Sequence, residues 1–590
     1  MLLSSCLSGS PVTAGTAVFD VGLAFIRGTG QPDEAAAFVA QGVAMFWQAL
    51  CPDKEVRRPF RATRFALSAP AADLAAQVGR AAALLPIETA CDLFGRLHTA
   101  ALLAALRRQQ GAFYTPPALA EFIAQRATEA GTDWHRARVL DPACGAGATL
   151  LPALRRLLAA QPDLASDVVL DEVAARLHGM DLDSGAAWLA QILIDAFLLP
   201  WSLRAGRATP QIVTVADSLH TGLAPGWDLV LGNPPYGAVT LSAADRARFQ
   251  RSLKGRANLY GLFLDRAVDL LRPGGLIVFL TPTTCLSGDY SNALRCLMKR
   301  AAPPVSLDFL VARKGVYDGA QQETMLGVWQ RGAQSGPIEL TEIRLEDTGL
   351  EVHSIGAATL PADAGAPWPL PRRMAQAHLA AALAHASHRM SDWGYRVRTG
   401  PTEAHRVKDR LAASPGNSCV PLPWAEAVGT GQAGFAWPGA RRAGMAWFDA
   451  KGHEAMLVQE PALLVQRTTA PEQARRLVTG HLTNEFLAAY GGAVAVENHL
   501  NLIEPAYTTP AVPLNVVTTF FASAAADAAF RCLGSSLAVS ATELRALPLP
   551  HADRMVTLAR LLQEGAGPHE IESECERLYL QPGRLQCPLG

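Results

Sequence analysis

The ten cysteines of this 590-residue chain never fall as a CxxC pair. That argues against a zinc site or a disulfide framework and leaves free, mostly buried thiols as the reading. No stretch reaches ~18 uninterrupted apolar residues, so no membrane-spanning helix is expected. The opening MLLSSCLSGS lacks a basic start and its apolar run is too short for a signal peptide, which makes a cytoplasmic protein the expectation. Neither sign of charge is in excess, with 52 Lys and Arg against 53 Asp and Glu. The balance does not mark the whole chain as a nucleic-acid binder, although a locally basic surface remains compatible with it. No internal repeat recurs at a fixed period.

What is present is a soluble globular composition, 49% hydrophobic and 18% charged, over a length that implies two or three domains. Residues 1–110 are rich in Ala and Leu at helical spacing, as in AADLAAQVGRAAALL, and read as a helical N-terminal region. From Val139 short apolar runs alternate with helical stretches: RVLDPACGAG, LHGMDLD, QIVTVADSL, WDLVLGNPPY and LIVFLTPTTCL. Strands apolar on both faces, separated by helices, predict an α/β domain with a doubly wound, mostly parallel sheet covered on both sides. This catalytic domain is expected over 111–345. The Pro-, Gly- and Ala-rich stretch at 346–390 reads as a linker, and 391–590 as a second domain mixing strands and helices.

Three loops carry chemistry. Asp141-Pro142-Ala143-Cys144-Gly145-Ala146-Gly147 follows a strand and opens a helix, and its small residues let backbone approach a ligand closely. It is not the GxGxxG fingerprint and no Walker lysine follows, so a phosphate cradle is not expected there. Asp181, in GMDLD at the tip of the next strand, is placed to accept hydrogen bonds from ribose hydroxyls, while Asp183 and Ser184 suit a helix cap. Asp217 ends a third strand and could accept from an adenine amino group. Three acids on successive strand tips, without a phosphate cradle, point to a nucleoside-containing cofactor such as S-adenosylmethionine. In DLVLGNPPYGAVT the two prolines end the strand and fix a rigid loop at the sheet's carboxyl edge, where open α/β sheets bind ligands.

GAFYTPPALAEFI (111–123), DPACGAG (141–147), GMDLD (179–183), VADSL (215–219), LVLGNPPYG (229–237) and NLYGLFLDRAVDLLRPGG (258–275) resemble, in that order, the motifs of the gamma class of DNA adenine N6-methyltransferases, the TaqI-like group. The resemblance implies a class I S-adenosylmethionine-dependent fold. It also implies that Tyr114, Thr115 and Pro116 fold over the methionine part of the cofactor, that Asp141, Ala143 and Gly145 line it, that Asp181 binds the ribose and Asp217 the adenine, and that Phe263 packs near the cofactor ring. Asn233, Pro234, Pro235 and Tyr236 would form the catalytic loop. An exocyclic adenine amine is a poor nucleophile because its lone pair is delocalised into the ring. Hydrogen bonds from the amine to the Asn233 side-chain oxygen and the Pro234 carbonyl would push the nitrogen toward a tetrahedral, nucleophilic form. Tyr236 would offer a ring face to a base taken out of the duplex, and Tyr317 occupies the place of a second aromatic. No metal is required.

GYRVRTGPTEAHRVKDRL (394–411), LLVQRTTAPEQARRL (463–477) and VENHLNLIEP (496–505) resemble the target-recognition part of PstI/BsuBI-type adenine methyltransferases. Arg467, Arg475 and Arg476, amid Thr, Gln and Asn, suit phosphate and base-edge contacts. The expectation is a monomeric, site-specific adenine methyltransferase of a type II-like restriction-modification system. It would act on double-stranded DNA, separately from any cognate restriction endonuclease. The alternatives are an N-methyltransferase of RNA or of a protein glutamine, a modification subunit of a larger complex, and a fused nuclease. No ExK follows PDEAAAF or PDKEVRRPF, which weighs against the fused nuclease.

Overall fold

The computed structural model describes residues 11–59, 65–102, 114–312, 323–346, 349–429, 434–437, 445–469, 473–534 and 538–580. The chain forms two compact units, the first of Met1–Pro282, Cys296–Gly336 and Ile343–Val352, the second of Thr283–Arg295, Pro337–Glu342 and His353–Gly590.

The first unit begins with four helices, α1 (Pro11–Thr29), α2 (Pro32–Leu50), α3 (Ala69–Ala82) and α4 (Ile87–Ala101). Their apolar faces meet around Phe19, Phe46 and Phe94, whose rings pack edge to face at 5.4–5.8 Å, each adding a modest term beyond burial of its area. Helices α2 and α3 approach so closely that a Cβ on Gly79 would lie 2.2 Å from the Gly42 carbonyl oxygen, so only glycine fits. The segment between α2 and α3 is tied to the domain that follows. The Arg57 guanidinium pairs with the buried Asp195 carboxylate and donates to the Thr209 carbonyl, and Trp188 Nε1 donates to the Arg57 carbonyl at 2.8 Å.

Beyond the prolines that open α5 (Pro117–Glu129), the alternation of apolar runs and amphipathic stretches becomes β1 (Val139–Asp141), α6 (Leu150–Ala159), α7 (Ser166–Arg176), β2 (Leu177–Asp181), α8 (Ser184–Phe197), β3 (Val213–Val215) and β4 (Trp227–Gly232). These are followed by α9 (Leu259–Leu270), β5 (Leu271–Pro282), β6 (Pro304–Ala312), β7 (Thr324–Gln330), β8 (Ile338–Glu346) and β9 (Gly349–Ala358). The sheet order is β9-β8-β6-β7-β5-β4-β1-β2-β3. Strands β5, β4, β1, β2 and β3 run parallel, and β7 is antiparallel between β5 and β6. This is a doubly wound α/β architecture. The chain builds outward from β1 through β2 to β3, then returns to β1's other side with β4. The crevice between β1 and β4 is therefore the topological switch point, the place where such sheets bind ligands. One expectation fails here. Residues 349–358, read as the start of a linker, form β9, an edge strand with mostly exposed or half-buried side chains. With so little apolar alternation, its strand character leaves almost no trace in the sequence.

In the second unit, β10 (Tyr395–Thr399), β11 (Ala462–Gln466), β12 (Thr479–Leu482) and β13 (Leu500–Pro505) form an antiparallel sheet in the order β10-β13-β11-β12. Helices at 514–521, 524–531, 555–563 and 568–580 accompany it, with Trp393, Phe520, Phe530 and Tyr579 in the core. Among the described residues, no single helix is long and apolar enough to cross a membrane.

Candidate active site

The carboxyl ends of β1, β2 and β4 bring the first unit's polar residues together. Asp141 ends β1, in register with Gly179 of β2. It is buried, and its carboxylate accepts from the Ala143 amide at 3.0 Å and from the Thr149 hydroxyl. Burial pushes its carboxyl up to about 7, against the pull of the Thr149 and Ala143 hydrogen bonds. Asp181, at the tip of β2, accepts from the Gly145 amide and the Asp183 amide, both at 2.8 Å, so the two acidic tips share one backbone loop. Burial raises its carboxyl too. Gly145 has φ +53°, and open space lies where a side chain would project. Asp183 caps α8 by accepting from Gly185 and Ala186, and His98 Nε2 of α4 lies 2.9 Å from its other oxygen. Asp217 sits half-buried just past β3, where its carboxylate accepts from the Leu219 amide and His220 Nδ1. His220 lies between Asp217 and Asp245, whose hydrogen bonds hold its pKa above the usual imidazole range.

Gly232 closes β4 with φ +148°, and a Cβ there would lie 2.6 Å from Asp141 Oδ1. The backbone entering Asn233-Pro234-Pro235-Tyr236 thus presses against the β1 carboxylate. Asn233 is half-buried and Pro234 buried. Asn233 Nδ2 donates to Thr115 Oγ1 at 3.1 Å, and Asn233 Oδ1 accepts from the Tyr236 hydroxyl at 2.7 Å. The amide is gripped from both ends. The Tyr236 ring is only 6% exposed and packs edge-on against Tyr260 at 6.5 Å, so it is not an open platform in this conformation. Two residues of the NLYGLF motif support the loop. Asn258 accepts from the Gly237 amide at 3.1 Å, and Tyr260 buttresses the Tyr236 ring. Phe263 is buried on the same helix, α9.

Tyr114, Thr115 and Pro116 lead into α5 through consecutive prolines. Thr115 is buried against Asn233, and Tyr114 lies beside the Asp92 carboxylate of α4. Tyr317 lies outside the described residues. The three arginines of the second unit do not share one environment. Arg467 is half-buried and donates to the Asn498 carbonyl at 3.1 Å, and Arg475 donates to the Ser523 carbonyl. Arg476 is 2% exposed, with its backbone amide bonded to Asp527, so a DNA contact there does not fit the structure. In the same unit Arg396 and Arg398 of β10 both donate to the buried Glu504 carboxylate, an anchoring role that their pattern alone did not reveal.

Comparison with known proteins agrees with this geometry. Residues 205–311 match the Eco57I restriction-modification methylase family. Over 513 residues the chain is 24% identical to the type II methyltransferase M.BsuBI of Bacillus subtilis, covering 80% of this chain and 95% of that protein. It is 22% identical over 414 residues to M.PstI of Providencia stuartii, covering 64% and 75%. Among solved structures, the type IIL restriction-modification enzyme MmeI superposes with a TM-score of 0.53 at 12% identity, over 96% of this chain and 90% of that one, which speaks to fold. The resemblance to gamma-class and PstI/BsuBI-type methyltransferases stands. S-adenosylmethionine is the cofactor such relatives imply, and the carboxylates at the tips of β1 and β2, Asp141 and Asp181, with Asp217 just past β3, are polar groups at the sheet's carboxyl edge compatible with its nucleoside.

Proposed function

We propose that this chain is a DNA methyltransferase of a restriction-modification system that methylates N6 of an adenine swung out of duplex DNA. The observation that carries the reading is the double grip on Asn233 at the switch point, beside Asp141 and Asp181. With its Nδ2 engaged by Thr115, the amide cannot turn its own N–H groups toward an incoming amine, where donor would meet donor. In this reading the Asn233 oxygen and the carbonyl of the rigid Pro234 accept the two amine protons and localise the nitrogen lone pair. When bound, S-adenosylmethionine supplies an electrophilic methyl group on a positively charged sulfur. The protein's own share is to desolvate the amine, hold its two protons and aim its lone pair, which are the positioning and electrostatic effects that dominate such transfers. Removing the base from the stack costs a few kcal/mol, which contacts with Tyr236 and neighbouring rings would offset. Residues 391–590, in the second unit, are the reading's target-recognition part.

The test is incubation of the full chain with methyl-labelled S-adenosylmethionine and duplex DNA, followed by digestion to nucleosides. Label should appear in N6-methyldeoxyadenosine and disappear with Asn233→Ala. Label confined to RNA, to protein or to cytosine would overturn the reading. Modification-sensitive sequencing of DNA from cells expressing the protein would then read out the target sequence.

A further inference from the structure

One face of α4 touches three segments at the proposed cofactor site: the Tyr114 stretch, the loop after β1 and the turn after β2. Asp92 lies beside Tyr114 and interacts with it electrostatically. Cys91 Sγ donates to the Ala146 carbonyl, in the loop after β1, at 3.6 Å. Gly95 lies under the Tyr114 ring, where a Cβ would come within 2.7 Å of a ring carbon and 3.5 Å of the Ala146 side chain. His98 Nε2 sits 2.9 Å from Asp183 Oδ2, and its ring closes over Gly185, where a Cβ would meet it at 2.9 Å. Asp183 passes this restraint on, because its own backbone amide holds the Asp181 carboxylate at 2.8 Å. Positions 91, 95 and 98 recur at one-turn spacing, with 92 beside them, so a single helical face presents all four contacts.

We infer that α4 is a wall of the cofactor site, with Asp92, Gly95 and His98 as positioning residues that set Tyr114 and Asp183, and through Asp183 the ribose-binding Asp181. The N-terminal helices thus have a role in the reaction as well as in packing. The inference rests on the cofactor reading of Tyr114 and Asp181. A glycine at position 95 leaves room for the Tyr114 ring against α4, where a Cβ would collide with it. Fixing the Asp183 side chain fixes the turn whose amide orients Asp181.

The experiment is equilibrium binding of S-adenosylmethionine and of duplex DNA to the full chain and to His98→Ala, His98→Gln, Asp92→Ala and Gly95→Ala, with a melting curve for each. His98→Ala should weaken cofactor binding by about tenfold while leaving DNA affinity within about twofold, as expected for loss of one buried polar partner. His98→Gln, which keeps a side-chain N–H donor, should recover most of the loss. Asp92→Ala should weaken cofactor binding in the wild-type background but not in a Tyr114→Phe background, and Gly95→Ala should have no further effect once Tyr114 is alanine. Unchanged cofactor affinity in folded variants would overturn the inference. Parallel loss of cofactor binding, DNA binding and thermal stability would also overturn it, by reducing α4 to a structural part. A wild-type chain that fails to bind S-adenosylmethionine would instead overturn the proposed function beneath it.

Discussion

Asn233 depends on a contact that bridges 118 residues of sequence, its Nδ2 bond to Thr115. Thr115→Val keeps the shape and removes the acceptor that orients the Asn233 amide. The turnover number should fall by roughly 5- to 100-fold with little change in cofactor affinity, while Thr115→Ser retains most activity; single-turnover kinetics on duplex DNA measures both. Asp141 supplies a pH dependence. Burial lifts its carboxyl from 3.8 to about 7. A raised carboxyl favours the folded state while protonated, and that contribution fades as pH rises through about 7. In the proposed reading Asp141 lines the cofactor site, where the cofactor's sulfonium would favour the carboxylate. S-adenosylmethionine should therefore bind more tightly as pH rises through about 7, and S-adenosylhomocysteine, with its neutral sulfur, should show a shallower rise. Titration calorimetry checks both slopes, and Asp141→Asn should flatten the difference. At this scale the sequence was informative about residue type and weak on partners. The Asn-Pro-Pro-Tyr loop announces itself because prolines interrupt an apolar run, whereas nothing local pairs Thr115 with Asn233 or His98 with Asp183.

Elements explain why some of the fold was legible. Strands β1, β2, β4 and β5 are buried on both faces and leave continuous apolar runs, so their order and their acidic tips can be read directly. Strand β9 lies at the sheet's edge with exposed side chains, and its alternation is too weak to separate it from a linker. Helix α4 is legible as a helix, but the choice of Asp92, Gly95 and His98 on its functional face depends on packing that periodicity does not encode. Strand β4 carries the sharpest element-level expectation. Gly232→Ala places a Cβ 2.6 Å from Asp141 Oδ1 on a backbone at φ +148°. The tip of β4 must then shift, costing on the order of 1–3 kcal/mol, and Asn233 moves with it. Denaturant melting should show the loss of stability, and methylation should fall by more than that loss explains.

For the whole molecule, the near-neutral charge means that affinity for DNA must come from a local cluster of cations. Buried Arg476 does not belong to that cluster. Arg476→Met should lower stability on the order of 2 kcal/mol in a denaturant titration and leave the salt dependence of DNA binding unchanged. A phosphate-contacting lysine or arginine would behave in the opposite way, reducing that slope by about one. A steeper or shallower salt slope in the folded variant would restore Arg476 to the DNA-binding set. The division into two units places the proposed chemistry in the first and the recognition reading in the second. The Arg57 tether, in turn, has a bearing on how the chain is made. Asp195 follows Arg57 by 138 residues. At synthesis rates of about 5–20 residues per second, the N-terminal helices emerge roughly 7–28 s before their anchor exists. During that interval the apolar surface destined for α8 is uncovered on the nascent chain. Expression yield should therefore respond to chaperone supply and to translation speed between codons 57 and 209 more than to the stability of the finished fold.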